Sequence, residues 1–157
     1  MFWDIPDAAW SDRPTLALAK EGRVYPAAPD AMIVLTCEAN DRLAISGDIL
    51  RVATDVGFGS LPDRIGLHVD GMTVTGEVQW EHGDHEAAGR ALLGLAPGQL
   101  AKLLSSASLS IVEERSGLAD MRSYPTPPRA LTEDFLARCS PPAASTPPPG
   151  TGGRRTP

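Results

Sequence analysis

The chain holds two cysteines, Cys37 and Cys139, and nearly everything in it that looks foldable lies between them. Cys37 closes the apolar run Met32-Ile33-Val34-Leu35-Thr36-Cys37. Cys139 closes the amphipathic stretch Leu131-Thr132-Glu133-Asp134-Phe135-Leu136-Ala137-Arg138-Cys139, directly before a proline-rich tail. Two readings are open. A disulfide would staple the first core strand to the last helix, and closing a loop of about 100 residues removes roughly 4–5 kcal/mol of unfolded-state entropy. Alternatively, both are buried thiols packed as small hydrophobes. A catalytic thiol has little support, because no Cys/His signature accompanies either residue.

The 157 residues suit one domain with tails. The expected organisation is an N-terminal arm over 1–30 packed on the domain, a β-rich domain over 31–139, and a disordered tail over 140–157. Pro6, Pro14, Pro26 and Pro29 break up the arm. Trp3 and Trp10 are large apolar groups, and at least one of the two indoles is expected to be buried. Thr15 to Lys20 alternates like a short edge strand. The tail of Pro, Ser, Gly, Thr and Ala cannot bury enough apolar surface to offset its ordering entropy. Its Pro147-Pro148-Pro149 run can adopt polyproline II, which leaves a cytosolic adaptor working through its tail as a further class.

Two hairpins carry the domain. A three-residue turn at Ala39-Asn40-Asp41 places Glu38 opposite Arg42, Cys37 opposite Leu43 and Leu35 opposite Ile45, so the apolar residues share one face. Asp70-Gly71 signals a type I′ turn pairing Val69 with Met72, Leu67 with Val74 and Ile65 with Gly76, with the second strand running on through Val78 and Trp80. Between the hairpins Ile49, Leu50, Val52 and Val56 suggest a further strand. Ala87 to Leu95 reads as a helix interrupted at Gly94. Pro97 suits the first turn of another helix, with Leu100, Leu103 and Leu104 as its apolar face. Leu109 to Val112 and Leu118 to Tyr124 read as strands turning at Gly117. Thr132 reads as the N-cap of the last helix, with Leu131 and Leu136 as its hydrophobic staple and with Phe135 and Cys139 on one face. The fold class expected is α+β, mostly β: an antiparallel sheet or β-sandwich with two or three short helices.

The net charge of −6 and the scattered basic residues argue against nucleic-acid binding. No stretch approaches the roughly 18 apolar residues of a transmembrane segment. No catalytic set stands out: there is no G-x-S-x-G elbow, and Gly57-Phe58-Gly59 lacks the Lys-Ser or Lys-Thr of a phosphate loop. The one cluster with ligand chemistry is Glu81-His82-Gly83-Asp84-His85-Glu86, where His82, Asp84, His85 and Glu86 carry groups that bind zinc. In a helix, His82 and His85 would share a face, although Gly83 disfavours one. The competing reading is a solvated turn after Trp80. His68 with Asp70, and Glu113-Glu114 beside Arg115, read as solvent-facing polarity.

The order of these elements resembles small exported proteins of Gram-negative bacteria. The matching features are Trp10, the strand end Leu35-Thr36-Cys37, Arg64 to Asp70, Leu100-Ala101-Lys102-Leu103-Leu104 followed by Leu109-Ser110-Ile111, and the closing Phe135-Leu136-Ala137-Arg138-Cys139. Accessory proteins associated with type VI secretion are similar in this layout. The resemblance implies a periplasmic or secreted binding role with a protein partner and no catalytic residues to carry over. The segment Met1 to Asp7 lacks the basic start and apolar core of a signal peptide, so a cytoplasmic location is the alternative. The leading expectation is a non-enzymatic, β-rich binding or assembly module without a cofactor; edge strands can pair with other chains, but which strand is exposed is not readable from the sequence. The rival is a metal-binding protein or metal-dependent enzyme using the His82/His85 cluster.

Overall fold

The structure is a computed structural model that describes residues 2–4, 13–19, 31–38, 42–53, 61–69, 71–95 and 97–139. The strands are β1 (Phe2–Asp4), β2 (Thr15–Ala19), β3 (Ile33–Glu38), β4 (Arg42–Ser46), β5 (Arg51–Ala53), β6 (Arg64–Val69), β7 (Met72–His82), β8 (Glu86–Gly94), β9 (Ser108–Arg115) and β10 (Leu118–Pro125). The helices are α1 (Pro97–Leu104) and α2 (Arg129–Cys139). Every described pairing is antiparallel, in the order β1-β2-β3-β4-β8-β7-β6-β9-β10, and β5 continues the lane of β4 along β8. The mostly β, α+β class is therefore as expected, and the sheet curls into a half-barrel.

Period-two alternation builds this sheet. Leu16 and Leu18 of β2, Ile33 and Leu35 of β3, Leu43 and Ile45 of β4, Ile65 and Leu67 of β6, and Leu109 and Ile111 of β9 all belong to one buried cluster. Leu100, Leu103 and Leu104 of α1 and Phe135 of α2 belong to the same cluster. Helix α1 packs on α2 and on β6, and α2 also reaches β2, so the pair covers the concave face. Each fully buried Leu or Ile contributes about 1.5–3 kcal/mol, which makes this aliphatic layer the main source of stability.

Both hairpin registers are as read from the sequence. Cys37 lies opposite Leu43 and Leu35 opposite Ile45, while Leu67 lies opposite Val74 and Ile65 opposite Gly76. Strand β7 then changes partner. Met72 to Glu77 pairs with β6, and Val78 to His82 pairs with β8. Gly76 sits at this handover, where an added Cβ would run into the carbonyl oxygen of Leu92. Two strand segments cross at this corner, and only a residue without a side chain lets them approach.

Four expectations are corrected. Residues 87–95 are not helical: β8 alternates Ala87, Gly89, Ala91 and Leu93 inward with Ala88, Arg90 and Leu92 outward. Alanine and leucine on both faces hid that alternation. Strand β2 is not at an edge, because β1 pairs outside it. Thr132 is not an N-cap. Helix α2 already starts at Arg129, and the Thr132 amide donates to the Pro128 carbonyl at 3.0 Å, an intrahelical bond. The preceding prolines place the start earlier, and the Leu131/Leu136 staple loses its basis. The segment after Gly47 is a 3-10 turn over Asp48–Leu50 followed by the short β5. Trp10, Val56, Gly57-Phe58-Gly59, the turn residues Ala39 to Asp41, Asp70 and the tail 140–157 lie outside the described residues.

The N-terminal stretch contributes two strands. Trp3 of β1 is 5% exposed in the core cluster, and its Nε1 donates to the carbonyl of Pro125 at 2.6 Å. β1 and β10 are the two ends of the strand order, so this bond links the opposite edges of the curl at one point.

Candidate functional site

The cysteines fall at the edge of the core. Cys37 is the fifth residue of β3, in the same inward phase as Ile33 and Leu35, and Cys139 ends α2 one turn after the buried Phe135. Their Cα atoms are 5.5 Å apart and the two sulfur atoms are in bonding contact, a spacing within the usual disulfide range. The pair attaches α2 to the first core hairpin. It offers neither a nucleophile nor a metal ligand while bonded.

The His82 to Glu86 cluster forms the turn of the β7–β8 hairpin. His82 pairs with Ala87 across the ladder, and the Gly83 amide donates to the Glu86 carbonyl at 2.7 Å, leaving Asp84-His85 at the tip. The helical arrangement that would align His82 with His85 is not formed, and the turn residues are exposed. Glu86 is engaged by Arg51, whose Nη2 lies 2.8 Å from its Oε2. Among the described residues no group of three or more His, Cys, Asp or Glu side chains is gathered where it could hold a metal.

The other polar candidates are built into the sheet. His68 Nδ1 faces the Thr73 hydroxyl directly across the β6–β7 ladder. Glu113 is not a solvated strand end: it is 8% exposed and bonded by Arg115 at 2.8 Å. On the convex face Glu38 accepts Arg13 at 2.9 Å and Arg90 at 2.7 Å. Nearby, a shallow hollow of about 540 Å³ is lined by Glu77, Gln79, Glu81, Arg90 and Leu92. A second hollow, of about 760 Å³, lies along the helix pair beside Lys102, Arg129 and Glu133. Both mix charges of the two signs. Thr132, in the lining of the second hollow, has a buried Oγ1 with no hydrogen-bond partner among the described residues.

Strand β10 is different in kind. It is eight residues long and ends the sheet among the described residues, and only Tyr124 of its residues is buried. Leu118 is 77% exposed and Met121 is 55% exposed. The opposite end of the sheet, β1, has three residues. Long exposed edges present unpaired backbone donors and acceptors and are usually blunted by shortness, bulges or internal prolines. β10 is neither short nor interrupted by a bulge or proline before Pro125, although it carries the charged Asp120 and Arg122, a further device by which edges are blunted. The Ser116-Gly117 turn that feeds it has positive φ at both residues, 50° and 84°, the geometry of a tight two-residue hairpin that keeps β10 in register with β9. The sequence shows the strand; that it ends the sheet depends on β1 and β6 taking other neighbours.

No protein-family model, no curated protein and no solved structure matches this chain.

Proposed function

We propose that this protein is a non-enzymatic binding and assembly module of the cell envelope, periplasmic or secreted, that docks a protein partner through the free edge of β10. The observation that carries the reading is the eight-residue edge itself, exposed along Leu118 to Ser123 with two large apolar side chains. Such an edge binds an extended segment by main-chain hydrogen bonds, with alternate side chains supplying selectivity. The bonding contact of Cys37 with Cys139 supports export, because disulfides persist in oxidising compartments. The resemblance of the sequence layout to small exported Gram-negative proteins is consistent with that reading. No helix of the described residues is long and apolar enough to cross a membrane.

Hydrogen exchange on protein isolated from its native host tests the docking edge. The Ala119, Met121 and Ser123 amides are expected to be protected in the host-derived assembly and to exchange rapidly in the dissociated chain. Unprotected amides in the assembly would remove β10 as the docking element. Thiol counting on the same material tests export separately, since two free thiols point to a reducing compartment.

A further inference from the structure

We infer that the partner of β10 is a second copy of this chain, paired antiparallel about a two-fold axis through Met121. The inference rests on the reading of β10 as a docking edge and names its occupant.

The backbone phase comes first. The Asp63 amide donates to the Glu114 carbonyl at 2.9 Å, so Glu114 aims its backbone toward the β6 side of β9. In an antiparallel strand the N–H and C=O of one residue point the same way, and successive residues alternate. Ile111, Glu113 and Arg115 therefore aim at β10 and bond to their opposites Arg122, Asp120 and Leu118. Ala119, Met121 and Ser123 are left aiming their N–H and C=O groups off the sheet. The carbonyl of Pro125 has the same phase, and it is the one that accepts the Trp3 indole.

The side chains then fix the occupant. With Met121 opposite its own copy, Ala119 falls opposite Ser123, Leu118 opposite Tyr124, and Asp120 opposite Arg122 of the second copy. The segment Leu118-Ala119-Asp120-Met121-Arg122-Ser123-Tyr124 is complementary to itself when reversed. The symmetry supplies the charge pair twice. Among the described residues, the side chains of Asp120 and Arg122 have no hydrogen-bond or ion-pair partner within the single chain. Asp120 also lies directly opposite Glu113, a like charge, which Arg122 of the second copy would offset.

Neighbouring registers are disfavoured. A slip that preserves the hydrogen-bond pattern puts Asp120 against Asp120, or Arg122 against Arg122, on the axis. A slip of the other parity sets outward-aimed backbone groups against inward-aimed ones. A closed two-fold dimer uses the same patch on both copies and leaves no further edge of this kind. The three described residues of β1 offer too little ladder to extend a fibre.

The test is sedimentation velocity on the full-length, disulfide-intact protein. The wild type is expected to show a reversible monomer–dimer equilibrium. Arg122→Asp, which places two like-charge pairs in the interface, is expected to weaken the dimer by roughly tenfold or more. The double reversal Asp120→Arg/Arg122→Asp restores opposite charges in the same register and is expected to recover the dimer, which also controls for folding at these exposed positions. A dimer indifferent to Arg122→Asp, or one not recovered by the double reversal, overturns the proposed register. A wild type that is monomeric up to roughly 0.5 mM, weaker than any useful self-association, overturns the self-pairing. In that case, protected Ala119, Met121 and Ser123 amides in the host-derived assembly would preserve the docking edge with a different partner, and unprotected ones would remove both.

Discussion

Reducing the Cys37–Cys139 pair removes no heavy atom and shifts only the two sulfurs apart, so it comes close to isolating what the staple does. The cysteines are 102 residues apart in sequence. In the chain-entropy model a closed loop of that length destabilises the unfolded state by about 4.7 kcal/mol at 25 °C. Most of the folded sheet lies inside the loop, from β4 through β10, so the effect acts on global unfolding and not only on α2. The assay is urea unfolding of oxidised and reduced wild type, comparing free energies rather than midpoints, because the cross-linked chain exposes less surface and has a smaller slope. The expected loss on reduction is about 3–5 kcal/mol, against a typical total of about 5–15 kcal/mol for a domain. Amide exchange should quicken in β6 and β9 as well as in α2. A loss under about 1 kcal/mol, or quickening confined to α2, would refute the reasoning. It would mean that the helix undocks independently, held otherwise by Phe135 and the half-buried Leu131 and Leu136.

The remaining predictions concern single side chains. Thr132→Val removes a buried hydroxyl without a partner and should stabilise by about 1 kcal/mol, read as a rise in Tm; an unchanged or lowered Tm would show that the hydroxyl is satisfied in solution. Gly76→Ala forces a methyl into the Leu92 carbonyl at the β7 corner and should cost about 3 kcal/mol; a denaturation midpoint equal to wild type would argue that the corner is looser than described. Ser116→Asn suits the left-handed backbone at φ 50° better than serine and should gain about 0.5 kcal/mol in urea unfolding; a loss would count against the turn geometry. Trp3→Phe deletes the donor to Pro125 while keeping most of the ring, and should cost about 1 kcal/mol or slightly more; a neutral result would mean that the two sheet edges are not linked there.

The two hairpins were legible because each couples a short turn to strict alternation, and a slip of one residue would expose every apolar side chain. Helix α1 was legible for a related reason: Pro97 marks its start and Leu100, Leu103 and Leu104 mark one face. Strand β8 was not, because Ala88 and Leu92 sit outward beside the inward Ala87, Ala91 and Leu93, which blurs a period of two into an apparent helix. The start of α2 was misplaced because Thr132 matches a cap locally, whereas Pro127 and Pro128 had already set the boundary. The edge position of β10 could not be read at all. Exposure of an edge depends on which strands neighbour which, and the β6–β9 pairing that puts β10 outermost joins segments separated by both a hairpin and a helix.

The sheet treats its two ends unequally. A half-barrel can remove its edges by closing on itself, and here Trp3 brings β1 to β10 at Pro125. Among the described residues the closure stops there. β1 is too short to run along β10, and the residues aimed outward from β10 before Pro125 are Ala119, Met121 and Ser123. A single indole donor thus occupies the one carbonyl that a self-paired strand centred on Met121 would not need. A strand running along β10 within the same chain would close the ladder and leave the proposed Asp120/Arg122 pairing unused. Among the described residues the chain is stable through its aliphatic core and open along the β10 edge, which is the arrangement the proposed assembly would require.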